Sequence, residues 1–405
     1  MAQPLDPRPA FAALGARTPA ALVGEAPTPC YILDEAQLAR NAALLAGVAA
    51  RTGCRILLAQ KAFSNYDLYP VLAPALAGTE ASGLYEARLG REALPEGEVH
   101  VFSAAYRAAD MDEILRYADH IVFNSPRQLA LYGPAARAAG RSVGLRINPE
   151  CSTQKGHAIY DPCAPGSRLG TTRAQWDAEM TPALTALLDG LHFHTLCEQD
   201  ADALEITLGA VAEKFGDVLG RMQWLNLGGG HHITRPGYDL ARLEACIRRA
   251  QTAWGVTVYL EPGEACALNA GYLAARVLDV RRSGEVNLAI LDASAACHMP
   301  DVLEMPYTPP LWGASEAGKR PFTFRLGGPT CLAGDVIGDY SFDMPLSEGD
   351  VLLFGDMAIY TTCKNNTFNG MPLPDICVLR ADGTLSRLTR FGYEDFKRRL
   401  GSFQE

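Results

Sequence analysis

The sequence predicts a parallel β/α barrel followed by a mostly β domain. Between Tyr31 and Glu264, short apolar segments alternate eight times with helix-like segments, and this number of repeats in about 230 residues fits a closed barrel. After about Ala267 the segments resemble strands separated by Gly, Pro and Asp turns, which is typical of a β domain. A chain of 405 residues also exceeds the usual size of one hydrophobic core. We therefore expect a barrel over residues 30–266 and a β-rich domain formed by residues 1–29 and 267–405, with a doubly wound sheet as the alternative to the barrel.

The predicted elements follow from runs of apolar and β-branched residues. The barrel strands are expected at Ile56–Gln60, Thr79–Ser82, Val99–Ser103, His120–Asn124, Val143–Asn148, Gly190–His194, Gln223–Leu227 and Val256–Glu261. The helices between them include Ala87–Ala93, Ala109–Tyr117 and Ala203–Lys214. The β domain is expected to contain strands at Leu273–Val280, Val286–Leu291, Phe322–Leu326, Val351–Phe354 and Ile376–Leu379, with a final helix at Tyr393–Leu400.

Composition excludes some classes of function. The net charge of −10 argues against nucleic-acid binding, which needs a basic face. It would suit a cationic ligand, although acidity can also simply maintain solubility. The eleven cysteines show no paired CxxC spacing, and the chain has neither a signal-peptide pattern nor an 18-residue apolar segment. We therefore expect a cytoplasmic protein that does not interact with membranes.

Lys61 is the first candidate for chemistry. It follows the apolar segment Ile56–Gln60, and only six of the 36 basic residues are lysines. A lysine that ends a buried strand either extends to solvent or loses its charge, for example by forming an imine with a carbonyl compound. The neighbouring strand ends favour the second interpretation, because functional side chains of this fold lie at the carboxyl ends of the strands.

The remaining candidates also follow predicted strands. His192 and His194 end the sixth strand, Gly228-Gly-Gly-His-His232 follows the seventh, and Glu261-Pro-Gly-Glu264 ends the eighth. Three consecutive glycines form either a flexible turn or a loop whose N–H groups approach a phosphate. A lysine, a phosphate-binding loop and an acid on one face together indicate pyridoxal phosphate, whose pyridine nitrogen pairs with a carboxylate.

Two other motifs suggest different ligands. Gly313–Arg320 nearly matches a nucleotide-binding P-loop, but Arg320 stands where a Ser or Thr must bind magnesium. His231 and His232 together with His192 and His194 could form a metal site. Adjacent histidines on a strand point to opposite faces, so no metal is expected.

Longer motifs resemble a known family, the fold type III pyridoxal-phosphate decarboxylases related to alanine racemase, and within it the group that acts on carboxylated polyamines. The resemblance extends from Pro29 to Leu400. The motifs that carry it are Cys163-Ala-Pro-Gly-Ser-Arg-Leu-Gly170, Leu191-His-Phe-His-Thr-Leu-Cys-Glu198, Leu225-Asn-Leu-Gly-Gly-Gly-His-His-Ile233, Cys297-His-Met-Pro-Asp-Val-Leu-Glu-Met-Pro306, Leu326-Gly-Gly-Pro-Thr-Cys-Leu-Ala-Gly-Asp335 and Arg390-Phe-Gly-Tyr-Glu-Asp-Phe396.

The resemblance implies roles for individual residues. Lys61 would form the imine with the cofactor, His194 would stack on its ring, and Glu261 would pair with its pyridine nitrogen. The remaining cofactor-binding residues implied are Gly228, Gly229, Gly230, Gly263 and Tyr360. Cys331 would enter the active site of a partner subunit as a catalytic residue, followed by Asp335, so that the protein would be a homodimer with shared active sites.

The resemblance also implies decarboxylation of carboxynorspermidine to norspermidine and of carboxyspermidine to spermidine. Relatives that act on diaminopimelate have Glu-Pro-Gly-Arg where this chain has Glu264 in place of the arginine, and a buried acid favours an amine. Asp301, Glu304 and Asp335 are further candidates for binding substrate amines, although Asp301 and Glu304 could also be solvated loop acids. Cys197 stands where many relatives have a phosphate-binding serine. An inactive relative that binds other proteins and an amino-acid racemase are the alternative functions.

Overall fold

The computed structural model describes residues 8–11, 22, 24–154 and 160–401. The chain divides into two compact units, one comprising residues 40–266 and the other residues 1–39 with 267–405. Most of the segment 1–29 that the sequence assigns to the β-rich domain lies outside the described residues. Its described apolar residues Phe11 and Leu22 are buried in a core cluster with Tyr272 of the second unit's sheet.

The first unit is a closed barrel of eight parallel strands, which confirms the predicted fold and excludes the doubly wound sheet. The last strand pairs with the first, where Arg55 lies opposite Tyr259. The strands are Arg55–Ala59, Gly78–Ala81, Glu98–Phe102, His120–Phe123, Ser142–Arg146, Gly190–His192, Trp224–Asn226 and Thr257–Leu260. All eight predicted strands are present, and each ends one or two residues earlier than expected.

Amphipathic helices connect the barrel strands. In Ala201–Leu219, the buried residues Leu204, Leu208, Val211 and Phe215 recur at helical spacing, so that one face packs inward. The α-helices between residues 35 and 267 are Glu35–Thr52, Tyr69–Leu72, Leu84–Ala93, Met111–Tyr117, Pro126–Ala138, Arg173–Glu179, Pro182–Thr185, Ala201–Leu219, Leu240–Trp254 and Glu264–Ala267. No helix in the described ranges combines the length and the apolar character that crossing a membrane requires.

The second unit is built on a nine-stranded sheet. Its strands, in sheet order, are Ser315–Glu316, Val336–Phe342, Phe322–Gly327, Val286–Leu291, Gly271–Ser283, Cys30–Asp34, Asp375–Leu379 and Leu385–Thr389, and Val351–Gly355 pairs with Gly271–Ser283. The five predicted strands are confirmed. The helices of this unit are Arg8–Phe11, Ala295–His298, Asp301–Glu304, Thr361–Lys364 and Tyr393–Arg398. The last of these confirms the expected final helix, which ends two residues early.

Candidate active site

A cavity opens at the carboxyl face of the barrel and encloses about 640 Å³, part of it open to solvent. This is the face on which barrel enzymes carry their functional side chains. The residues that line the cavity are Ala59, Lys61, Glu80, Ser82, Phe102, Ser103, Ala104, Arg146, Arg168, Leu169, His192, His194 and Glu261. Of the residues predicted for cofactor binding, Lys61, His194 and Glu261 therefore lie in one cavity.

Lys61 does not end the first barrel strand as predicted, but lies exposed in the turn that follows it. The first barrel strand ends at Ala59, and the N–H of Ala62 donates to the carbonyl of Ala59 at 3.1 Å in a turn. The side chain of Gln60 takes the buried position and donates to the carbonyl of Glu86 at 2.8 Å. Because of this turn, Lys61 is exposed at the cavity wall, where a carbonyl compound can reach its amine.

Glu261 is buried, and both of its carboxylate oxygens are bound. Asn226 donates from Nδ2 to Oε1 at 2.6 Å, and Nε2 of His192 lies 3.0 Å from Oε2. Burial acts to raise the pKa of Glu261, but the contact with His192 outweighs it and lowers the pKa below its usual value. Burial also lowers the pKa of His192. At neutral pH the pair is therefore a carboxylate that accepts a hydrogen bond from a neutral imidazole.

His194 is fixed by the glycine turn that follows the next strand. The N–H of Gly229 donates to its Nδ1 at 3.0 Å, so the proton of the neutral ring is on Nε2. Burial, together with the positive charges of Lys61 and Arg146, holds the pKa of His194 well below its usual value. The structure thus presents a flat, uncharged ring in the cavity wall, as stacking on an aromatic cofactor requires.

The turn Gly228–Gly230 can be formed only by glycines. Gly228 and Gly230 have φ of +72° and +78°, which disfavours other residues. A Cβ atom at Gly228, Gly229 or Gly230 would lie 2.4, 2.5 or 2.1 Å from a backbone oxygen of a neighbouring segment. The N–H groups of Gly228 and Gly229 are used within the site, by Asn226 and His194. The shape of this turn fits a phosphate loop, with the N–H of Gly230 as the remaining donor of the three glycines.

Gly263, the other predicted cofactor-binding glycine, packs against the Lys61 turn. A Cβ atom at Gly263 would lie 2.6 Å from Cβ of Ala62 and 3.1 Å from the carbonyl oxygen of Ala59. Any larger residue would therefore displace the backbone that carries Lys61. This contact gives a packing reason for a glycine at this position, and its role in binding the cofactor stays a prediction.

Sequence reasoning missed three buried polar residues of this site. Glu80 precedes the last residue of its strand, and its pKa is raised well above the usual value by burial and by the charge of Glu261. Arg146 ends its strand, and burial lowers its pKa to about 10. Asn226 ends the seventh barrel strand. The signal that could have found them is a charged or amide side chain inside an otherwise apolar strand, because such residues are rarely buried without a partner.

The remaining predicted site residues lie in other segments. Glu264 is half-buried at the start of the short helix Glu264–Ala267. Tyr360 precedes the helix Thr361–Lys364 with a φ of +56°. Asp301 and Glu304 both form ion pairs with Lys364, so the two acids already hold one ammonium group between them.

Cys331 and Asp335 belong to one loop of the second unit. Cys331 is exposed, and its N–H donates to Oδ1 of Asn369 at 2.8 Å. Asp335 is buried and accepts hydrogen bonds from the hydroxyls of Thr330 and Ser294 at 2.6 and 3.0 Å. The carboxylate of Asp335 therefore stabilises the loop that presents Cys331.

Two of the four histidines that could have formed a metal site, His192 and His231, have protein partners. His192 binds Glu261, and Nε2 of His231 lies 3.4 Å from the carbonyl of Leu227. A different cluster, Glu98, His100 and His120, brings three possible ligand atoms together elsewhere in the barrel unit. Its two imidazoles are stacked, with 3.9 Å between centroids and 12° between planes. Since a metal binds in the plane of each ring, this pair cannot direct both lone pairs to one ion as it stands.

Four features define the class of this protein: the barrel, the exposed lysine at its carboxyl face, the ionised buried acid and the glycine turn. Together they are those of a barrel enzyme suited to an aldehyde cofactor that carries a phosphate. A family described as "Pyridoxal-dependent decarboxylase, C-terminal sheet domain" matches residues 30–358. The chain therefore belongs to the pyridoxal-dependent decarboxylases, its cofactor is pyridoxal phosphate, and the resemblance seen in the sequence is confirmed.

The chain is similar to characterised enzymes over nearly its whole length. It is 42% identical over 376 residues to carboxyaminopropylagmatine decarboxylase of Synechocystis sp., covering 93% of this chain and 96% of that one. It is 40% identical over 383 residues to carboxynorspermidine/carboxyspermidine decarboxylase of Campylobacter jejuni, covering 92% and 98%. The crystal structure of carboxynorspermidine decarboxylase complexed with norspermidine, from Campylobacter jejuni, matches with a TM-score of 0.83 and 39% identity, covering 92% and 99%.

Proposed function

We propose that the protein decarboxylates carboxynorspermidine to norspermidine and carboxyspermidine to spermidine. The observation that carries the proposal is the single cavity in which Lys61, His194 and Glu261 meet, in a chain 40% identical to an enzyme named for these substrates. Bound pyridoxal phosphate supplies an aromatic ring that accepts the electron pair of the breaking carbon–carboxylate bond. The protein residues bind and orient the reactants and transfer protons.

The predicted cofactor-binding residues have distinct tasks in this proposal. Nζ of Lys61 would hold the cofactor through its aldehyde group. The Glu261 carboxylate keeps a proton on the pyridine nitrogen, which its lowered pKa allows. His194 packs its neutral ring against the cofactor, and the turn Gly228–Gly230 together with Tyr360 receives the phosphate.

The acids of the chain are proposed to bind the amines of the substrate. Glu264, Asp301, Glu304 and Asp335 are the candidates. The ion pairs of Lys364 with Asp301 and Glu304 support this assignment for that pair, because they show two carboxylates spaced to hold one alkylammonium group. The hydrogen bonds of Asp335 support a role for that residue in positioning the Cys331 loop.

We propose that the active enzyme is a cytoplasmic homodimer with shared active sites. Cys331 would enter the site of the partner and return a proton to the substrate carbon after carbon dioxide leaves. The exposed thiol of Cys331, on a loop stabilised by Asp335, supports this role. All eleven cysteines are free thiols, as in proteins of a reducing compartment.

Carboxyaminopropylagmatine is the second candidate substrate, because the Synechocystis sp. relative named for it is 42% identical. It ends in a guanidinium group, whereas carboxynorspermidine ends in an ammonium group. A guanidinium binds a carboxylate through two parallel N–H donors, whereas an ammonium acts as a point charge. The contact of Nζ of Lys364 with the two separate acids Asp301 and Glu304 is of the second kind.

The test compares kcat/KM for carboxynorspermidine, carboxyspermidine, carboxyaminopropylagmatine and diaminopimelate on one enzyme preparation. We expect the first two to react fastest and to differ by less than about 200-fold, since one methylene contributes about 1–3 kcal/mol. A higher kcat/KM for carboxyaminopropylagmatine would support the second candidate. Faster turnover of diaminopimelate would contradict both. Chiral analysis of the products and the visible absorbance of bound cofactor test the racemase and inactive-relative alternatives.

A further inference from the structure

The side chain of Asn226 joins two parts of the cofactor site. Its Nδ2 donates to Oε1 of Glu261 at 2.6 Å, and its Oδ1 accepts a hydrogen bond from the N–H of Gly228 at 2.9 Å. The side chain is fully buried. One amide therefore connects the acid that is proposed to bind the pyridine nitrogen to the first residue of the glycine turn.

His192 completes this arrangement on the other carboxylate oxygen. Its Nε2 lies 3.0 Å from Oε2 of Glu261, and its Nδ1 is buried and has no hydrogen-bond partner in the described ranges. A carboxylate only accepts hydrogen bonds, so the proton of His192 is on Nε2. The register of the barrel strands explains why His192, Asn226 and Glu261 lie close together. His192 is paired with Asn226 on the next strand, and Asn226 is paired with Tyr259, two residues before Glu261.

We propose that Asn226 is a positioning residue for the cofactor, whose amide holds the Glu261 carboxylate and the glycine turn at a fixed separation. The separation matters because one rigid molecule must reach both groups, with its ring nitrogen at one and its phosphate at the other. The proposal rests on the assignment of Glu261 and Gly228–Gly230 as cofactor-binding residues. Neither end of the amide can be replaced by water, because the side chain is inaccessible.

Asn226→Asp removes the hydrogen bond to Glu261 and keeps the one from Gly228, with almost no change in the shape of the side chain. The aspartate still accepts from the N–H of Gly228, but it lacks the N–H donor and places a second carboxylate next to Glu261. Two carboxylates this close must share a proton, which is lost as the pH rises. We expect the Kd of the apoenzyme for pyridoxal phosphate to rise at least tenfold at pH 8 and to recover toward pH 6, measured by fluorescence titration.

Asn41→Asp is the matched control. Asn41 is also a buried asparagine of the barrel unit, and it donates to the carbonyl of Cys266 at 3.2 Å, outside the cavity. We expect this substitution to lower the melting temperature without a pH-dependent change in cofactor affinity. The proposal is overturned if Asn226→Asp keeps the wild-type Kd across this pH range, or loses no more affinity than Asn41→Asp.

A second pair of variants leaves Asn226 intact and tests whether the hydrogen bonds that position Glu261 control cofactor affinity. His192→Gln retains an N–H donor for Glu261, whereas His192→Leu removes it. We expect the Leu variant to bind pyridoxal phosphate at least fivefold more weakly than the Gln variant, with circular dichroism reporting the fold of each. Equal Kd values for the Leu and Gln variants would show that the hydrogen bonds to Glu261 do not control cofactor affinity, which would contradict the proposal. Failure of the wild-type apoenzyme to bind the cofactor would instead contradict the proposed function.

Discussion

The guanidinium of Arg146 donates from Nη2 to the carbonyl oxygen of His194 at 3.1 Å, and its Cζ lies 4.6 Å from the centroid of the Phe102 ring. Arg146 remains charged at neutral pH although burial lowers its pKa to about 10. This buried cation therefore fixes the backbone of the histidine that is proposed to stack on the cofactor. Arg146 also lines the cavity together with Glu80. Its positive charge acts to lower the pKa of Glu80, which burial raises well above the usual value.

Arg146→Met should lower kcat/KM for carboxynorspermidine by about 10- to 100-fold, because a hydrogen bond to a charged group contributes about 1.5–3 kcal/mol. Steady-state kinetics measures the loss. Arg88→Met is the control, because Arg88 forms only an exposed ion pair with Glu92 on a helix surface, and such pairs contribute little. Equal kinetics of the two variants would remove Arg146 from the site.

Gly230→Ala should weaken binding of pyridoxal phosphate and destabilise the fold, because its Cβ would lie 2.1 Å from the carbonyl oxygen of Leu196. Gly237→Ala is a matched control. Gly237 has a similar φ of +82° but no neighbouring atom within 4 Å of its Cβ position, so it isolates the backbone strain of about 1–2 kcal/mol. Urea unfolding and cofactor titration compare the two. If both variants lose cofactor affinity equally, the contact between a Cβ atom at residue 230 and the carbonyl oxygen of Leu196 is not the cause of the loss.

Glu264→Ala and Asp301→Ala should each raise KM for carboxynorspermidine, and should lower kcat where amine binding also orients the reacting carboxylate. Glu285→Ala serves as the control, because that carboxylate is almost fully exposed on a turn. The side chain of Asp301 also forms an ion pair with Lys364, so Asp301→Ala is expected to alter the local structure as well. Unchanged kinetics in both the Glu264→Ala and the Asp301→Ala variant would show that neither acid contacts the substrate.

Stability should fall as the pH drops from about 6.5 toward 4, because buried histidines are neutral in the folded protein. Burial lowers the pKa values of His231 and His298 to about 4. Nδ1 of His298 accepts a hydrogen bond from the N–H of Ser294 at 3.1 Å, so protonation would break that bond. Below pH 6.5 the unfolded chain takes up these protons first, at a loss of stability of about 3 kcal/mol for each group by pH 4.

His298→Gln tests the origin of this pH dependence. The variant should be less stable than wild type at pH 7.5, yet its melting temperature should fall less steeply between pH 6.5 and 4.5. Thermal unfolding followed by circular dichroism at several pH values provides the measurement. Parallel curves for the two proteins would show that His298 does not contribute to the pH dependence.

The barrel could be predicted from the sequence because each of its strands is a short apolar segment bounded by turn residues. The candidate site could also be predicted, because functional side chains of barrel enzymes lie at the carboxyl ends of the strands. His194 and Glu261 end predicted strands in this way. The strand Val336–Phe342 was missed because Gly338, Asp339 and Ser341 interrupt its apolar pattern. The strand Cys30–Asp34 was also missed. It is buried at every position, so its sequence lacks the alternation of apolar and polar residues that marks a half-exposed strand.

The partners of the site residues could not be predicted, because they depend on the register between strands distant in sequence. Asn226 reaches Glu261 across 35 positions of the chain, and Arg146 reaches His194 across 48. The turn that exposes Lys61 was also missed, because the predicted strand included Gln60, which is buried but lies in the turn after Ala59. A pattern along one segment cannot show where pairing with the next strand stops.

Reduction of the purified protein with borohydride, followed by peptide mapping, tests most directly whether Lys61 holds the cofactor. The chain contains six lysines, and a stable pyridoxyl label is expected on Lys61 alone, with no label on Lys214, which is paired with Glu150. A label on any other lysine, or the absence of a label from a protein that retains bound cofactor, would contradict the account.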